Sequence, residues 1–183
     1  MPSSSRDPKR VTAGIPGIFT VELDRDDIAG LFRRRTWSRG PFVLVGRDSG
    51  LALDTAYRGS GGKPTLWTVH ARPHQLWYFE RTRRKGEFLI RSADNGLVLD
   101  ARQGAELRRS PVMKPRDEYR NQHWRLHSTE DATGYIIESV NSGHVLDVPF
   151  EAGPRTESSP VLWTRHGSMN QQFLVMTPSA GPT

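Results

Sequence analysis

Asp48-Ser49-Gly50-Leu51-Ala52-Leu53-Asp54 recurs along the chain as Asp94-Asn95-Gly96-Leu97-Val98-Leu99-Asp100, and again as Asn141-Ser142-Gly143-His144-Val145-Leu146-Asp147. Each copy is a polar turn followed by a short apolar run that ends in aspartate. A second signature lies downstream in every copy: Lys63-Pro64-Thr65-Leu66-Trp67, Ser110-Pro111-Val112-Met113-Lys114 and Ser159-Pro160-Val161-Leu162-Trp163. A third follows as His74-Gln75-Leu76-Trp77, Asn121-Gln122-His123-Trp124 and Asn170-Gln171-Gln172-Phe173. The aspartates stand 46 and 47 residues apart and the closing aromatics 47 and 49, so length varies only in the connections. A fixed period of this size dictates architecture before any single residue does.

Within a unit the apolar residues alternate or run for a few positions between Gly, Pro, Asn and Ser clusters, which is strand behaviour. Four strands are expected in the first unit, near Phe42 to Gly46, Leu51 to Asp54, Thr65 to Val69 and Leu76 to Arg81. The plan repeats from Glu87 and from Tyr135. Three equivalent units must bury three apolar faces, and threefold closure does so while leaving few exposed edges. A propeller, the other answer to a period in the forties, typically needs four or more blades.

Gln-Xaa-Trp at the end of each unit, with Leu-Asp near its start, resembles the ricin B-type lectin family of β-trefoils over roughly residues 39–177. Gln75-Leu76-Trp77 and Gln122-His123-Trp124 fit that motif, and Gln171-Gln172-Phe173 sets another aromatic in place of Trp. The resemblance implies an all-β fold, a β-trefoil of three repeats with four strands each. Its repeats fall at about 39–86, 87–133 and 134–177 of a domain spanning 39–183. It also implies carbohydrate binding, although one fold hosts many functions.

A sugar site needs a carboxylate to accept from adjacent hydroxyls, an amide to add a further bond, and an aromatic ring against the apolar face of the pyranose. In the family these roles sit at the positions matched here by Asp147, Trp163 and Asn170, with Gln171 beside them, and the third unit has the full set. The first unit keeps Asp54, Trp67 and Gln75 but has His74 in place of Asn, an altered site. The second keeps Asp100 and Asn121 but has Lys114 in place of the aromatic, a weak or lost one. Val161, Thr65 and Val112 depart from the polar side chain of galactose-binding relatives, which counts against galactose itself; the resemblance implies a neutral sugar, galactose-type or other. Gln75, Gln122 and Gln171, with their aromatics, recur by symmetry and read as structural. The competing view is that the aspartates only cap turns.

Composition bounds the alternatives. The chain has 183 residues, a net charge of +6 and no cysteine, which removes disulfides, thiolate metal sites and cysteine nucleophiles. Charge is concentrated in residues 39–86, at +6, against 0 for 87–133 and −2 for 134–183. Arg81, Arg83, Arg84 and Lys85 form the centre of that excess and are the anion-binding candidate, with an anionic glycan as partner; Arg108 and Arg109 could join them. Nucleic acid is not expected, and no run is long enough for a membrane span.

His70 with His74, and His123 with His127, have i, i+4 spacing. On a strand that spacing sets the residues about 13 Å apart, so no metal site is expected. Neither a Gly-rich phosphate loop nor a nucleophile elbow occurs, so no catalytic residue and no cofactor is assigned. An enzyme of small-molecule metabolism built from dispersed residues is the alternative.

Residues 1–38 form an extension. Asp24-Arg25-Asp26-Asp27-Ile28-Ala29-Gly30-Leu31-Phe32-Arg33-Arg34-Arg35 orders acids before arginines, as a short helix complementing its dipole would. It is the element through which a protein partner would dock. No apolar leader precedes it, which gives a cytoplasmic location by default and a secreted one if a leader was removed.

Overall fold

The computed structural model describes residues 38–104, 106–117, 119–153 and 158–178. The helix expected at 24–35 lies outside the described residues, as does part of the loop that follows Asp147.

Twelve strands form among the described residues, four to a unit. The first unit contains β1 (Ser38–Gly46), β2 (Ala52–Asp54), β3 (Thr65–Trp67) and β4 (Trp77–Arg81). The second contains β5 (Phe88–Ser92), β6 (Val98–Asp100), β7 (Val112–Lys114) and β8 (Trp124–Ser128). The third contains β9 (Tyr135–Ser139), β10 (Val145–Asp147), β11 (Val161–Trp163) and β12 (Phe173–Met176). β1, β4, β5, β8, β9 and β12 pair antiparallel in a closed ring. Closure leaves no unpaired barrel edge for another chain to extend.

The other six strands form the hairpins β2–β3, β6–β7 and β10–β11, which hang from β1, β5 and β9. Each hairpin grips the next. Gly61 N–H donates to Met113 O at 2.7 Å, Arg108 N–H to Leu162 O at 2.9 Å, and Leu66 N–H to Ser158 O at 2.7 Å. Barrel and hairpin cap together make the β-trefoil that the repeats imply.

The recurring turn has a simple cause. Gly50, Gly96 and Gly143 adopt φ of 67°, 72° and 73°, a left-handed conformation with little cost for glycine. The residue before each glycine accepts from the backbone N–H just beyond it: Leu51 N–H to Ser49 Oγ, Leu97 N–H to Asn95 Oδ1 and His144 N–H to Ser142 Oγ. Such short polar side chains favour turns for this reason.

Trp77, Trp124 and Phe173 open β4, β8 and β12 and are fully buried at the centre of the core. Each indole N–H is satisfied by the hairpin of its own unit, Trp77 Nε1 by Leu53 O at 3.0 Å and Trp124 Nε1 by Leu99 O at 2.9 Å. Phe173 fills the third position without a donor. Removing one of these rings would cost about 3–5 kcal/mol.

Some expected boundaries move: β1 starts at Ser38 rather than near Phe42, and β2 and β4 start one residue late. β3 ends at Trp67 rather than Val69, because the chain then turns through Ala71, at φ 52°, into a 3-10 turn over Pro73–Gln75. The same turn recurs at Arg120–Gln122 and Met169–Gln171. It carries the glutamine of each unit inward.

Candidate carbohydrate pockets

Each unit builds one polar cluster at the junction of its hairpin and its 3-10 turn, the candidate pocket, and the glutamine is the joint. Gln75 Nε2 donates to Asp54 Oδ2 at 3.0 Å and to Thr68 O at 2.9 Å, while its carbonyl accepts from His70 and Ala71 N–H. Gln122 does the same with Asp100 at 3.2 Å, Pro115 O and Asp117 N–H. Gln171 does it with Asp147 at 2.9 Å, Thr164 O and the His166 and Gly167 N–H groups. All three glutamines are inaccessible and spend their polar atoms inside the protein. Gln75 and Gln171, grouped in the sequence with sugar contacts, therefore hold the aspartate in place.

The pockets differ in what remains of the carboxylate. In the second unit Asp100 has no exposed surface. Its Oδ1 accepts from Arg102 N–H at 2.6 Å, and its Oδ2 from Asn121 Nδ2 at 2.8 Å as well as from Gln122. Lys114 Nζ lies 3.9 Å from the same oxygen. Three hydrogen bonds and an ammonium satisfy this acid internally.

In the third unit Asp147 Oδ2 accepts from Gln171 and faces His166 Nε2 at 3.4 Å, and Oδ1 accepts from Asn170 Nδ2 at 2.9 Å. The backbone donor two residues on, supplied by Arg102 and Ala56 in the other units, falls here on Pro149, which has no N–H. Among the described residues Asp147 thus accepts two hydrogen bonds, one at each oxygen, against three at Asp100. Asn170 Nδ2 is committed to Asp147 and to Val148 O at 3.4 Å, and its buried Oδ1 has no donor among the described residues. Trp163 is partly exposed and carries the Arg108 guanidinium 5.0 Å from its ring centroid, a cation–π contact. Sequence reasoning assigned Arg108 to the anion patch. Its neighbour Arg109 pairs with Glu106 at 2.6 Å.

In the first unit Asp54 Oδ1 accepts from Ala56 N–H at 2.6 Å. Trp67 is 38% exposed, and Tyr57 at 71% adds a second ring whose centroid lies 4.2 Å from that of His74. Tyr57 escaped the sequence reading because it falls in the variable loop after the aspartate, where no repeat marks it.

The histidine pairs require a correction. His70 Nε2 and His74 Nε2 are 3.2 Å apart, and both face Asp54 Oδ2, at 3.7 and 3.6 Å. The 13 Å expectation assumed a strand, whereas residues 70–74 reverse through Ala71 into the 3-10 turn. Burial pushes the His70 imidazole below its usual 6.5, and His74 beside it adds to the shift. His123 and His127 do diverge, His123 pairing with Glu87 at 3.0 Å and His127 with Glu138 at 2.9 Å.

Arg81 closes β4, and Arg83, Arg84 and Lys85 sit exposed in the turn to β5. They are not part of any of the three pockets.

Comparison with known proteins supplies the context. The model of the family described as ricin-type beta-trefoil lectin domain-like matches residues 73–163 and 120–183. No curated protein matches the chain. Among solved structures, a designed threefold-symmetric protein, ThreeFoil, superposes with a TM-score of 0.68 at 24% identity, over 75% of this chain and 99% of that one. The exo-beta-1,3-galactanase 1,3Gal43A from Clostridium thermocellum gives 0.68 at 23% identity, over 75% of this chain and 30% of that one. The earthworm R-type lectin C-half, solved with GalNAc, gives 0.55 at 22% identity, over 74% and 96%. At these identities the structural likeness speaks to the fold.

Proposed function

The chain belongs to the ricin-type β-trefoil lectin family, and from that premise we propose that it binds a neutral sugar through the pocket of its third unit. The observation that carries this reading is the third-unit combination of a carboxylate with two hydrogen bonds among the described residues, a proline where the other units supply a backbone donor, and a partly exposed Trp163. A carboxylate held by Gln171, Asn170 and His166 is preorganised for two adjacent hydroxyls, and Trp163 offers the ring for the apolar sugar face. Asp100, satisfied internally and lacking a ring, is the lost site. Asp54 is the altered one, with imidazole at the amide position.

A shallow site of this kind supports affinities of about 0.1–1 mM, so useful binding draws on a multivalent glycan or a second site. The test is a glycan array with the native protein and Asp147→Ala, read at low and high salt. The reading expects a neutral glycan whose binding is lost in the folded variant and hardly changes with salt. Binding that ignores Asp147 and disappears in salt would transfer the function to Arg83, Arg84 and Lys85, whose exposure as a basic run favours an anionic glycan as the second reading.

A further inference from the structure

The most specific chemistry outside the third pocket is the group Asp54, His70 and His74. Its three potential ligand atoms, Asp54 Oδ2, His70 Nε2 and His74 Nε2, are mutually separated by 3.2, 3.6 and 3.7 Å. Ligands about 2.0–2.1 Å from a tetrahedral zinc ion lie about 3.3 Å from one another. The three atoms therefore already occupy one face of such a tetrahedron, within a few tenths of an ångström. We propose that the first unit binds a divalent transition-metal ion of the zinc class through Asp54, His70 and His74, with the fourth position open to water or a ligand oxygen.

The donor set argues for this class. Two imidazoles and one carboxylate suit zinc, whereas calcium and magnesium require more oxygen ligands than the cluster provides. The ligands are also held from behind, as metal ligands need to be. Ala56 N–H and Gln75 Nε2 fix the carboxylate, and the Tyr57 ring packs on His74. Asp54 and His74 are buried while the His70 side chain is 28% exposed, which leaves entry from the His70 side. His70 Nδ1 accepts from Arg72 N–H at 3.2 Å, so the neutral ring carries its proton on Nε2. Coordination through Nε2 moves that proton to Nδ1, at the expense of the exposed hydrogen bond from Arg72 N–H.

The other two units are internal controls. Asp147 and His166 repeat two of the ligands, but Asn170 stands where His74 does. Asp100 is accompanied by Asn121 and Asp117 and has no imidazole in these positions. Only the first unit completes the triad among the described residues.

The experiment is titration calorimetry of the full chain with zinc chloride, and it is independent of sugar binding. The native protein should take up one equivalent. His74→Asn, which installs the residue of the other two units, should lower affinity at least tenfold with an unchanged circular dichroism spectrum. His70→Gln, on the more exposed ligand, should do the same and covers the case in which the buried variant misfolds. Asn170→His should add a second equivalent by completing the triad in the third unit. Absence of zinc uptake by the native chain, or uptake of equal affinity and stoichiometry in folded His74→Asn and His70→Gln, would overturn the proposal.

Discussion

The second and third pockets contain the same aspartate, asparagine and glutamine, yet among the described residues one carboxylate accepts three hydrogen bonds and the other accepts two, Asn121 sharing an oxygen with Gln122 while Asn170 and Gln171 take one each. Two positions make the difference. Arg102 gives Asp100 a backbone donor that Pro149 cannot give Asp147, and Lys114 brings a charge where Trp163 brings a ring. A polar triad repeated by symmetry is thus a structural joint first, and only where a donor is withheld can it also meet a ligand. The units differ at their first residue as well. Glu87 is buried and paired with His123, Arg120 and Arg125, whereas the third unit has Gly134, where an added Cβ would stand 3.2 Å from Phe173 O.

The largest effect that could break this comparison is on stability. Asp100→Ala removes an inaccessible acceptor and strands the donors of Arg102, Asn121 and Gln122, so it should cost about 3 kcal/mol in urea unfolding. Asp147→Ala should cost clearly less while abolishing sugar binding. Equal costs would mean that the two carboxylates are equivalent after all.

Glu87 should come next. Burial alone would raise its pKa, but the hydrogen bonds from His123 and then Arg120, with Arg125, outweigh it and hold the carboxyl below its usual 4.5. Its contribution is therefore present above the unfolded value and is lost as pH falls below it through the folded one. Glu87→Gln should destabilise by about 1–2 kcal/mol at pH 7, the half-exposed arginines limiting the loss, and the difference should vanish in acid. A deficit independent of pH would assign the effect to packing.

On binding, Trp163→Ala should weaken the sugar about tenfold, or about 1.4 kcal/mol, measured by NMR titration. Lys114→Trp should create no second site, because Asp100 is already satisfied. Sugar binding by that variant would show that the ring alone was missing. The smallest change expected is for Pro149→Ala, which offers Asp147 the withheld N–H and should lower affinity about threefold, near 0.7 kcal/mol. An unchanged affinity would remove the proline from the explanation.

Much of the fold could be read in the residues because turn and core chemistry are local and recur. Gly50, Gly96 and Gly143 punctuate each unit, and Trp77, Trp124 and Phe173 mark where each returns to the centre. The site was less legible. Asp147, Trp163 and Asn170 were singled out by the family resemblance, but Arg108 reaches Trp163 only through the grip of one hairpin on the next. His70 and His74 meet only because a left-handed Ala71 and a 3-10 turn cancel the strand geometry that their spacing suggested.

What the sequence by itself determined is the threefold repeat, its strands and turns, and the side chains available to each pocket, since period, glycine placement and apolar alternation are properties of the chain. The tertiary structure alone decided how many donors each carboxylate meets and which histidines converge. Those outcomes depend on how the turn after each aspartate and the 3-10 turn before each glutamine bring their N–H groups and side chains up to the carboxylate, which residue spacing does not encode.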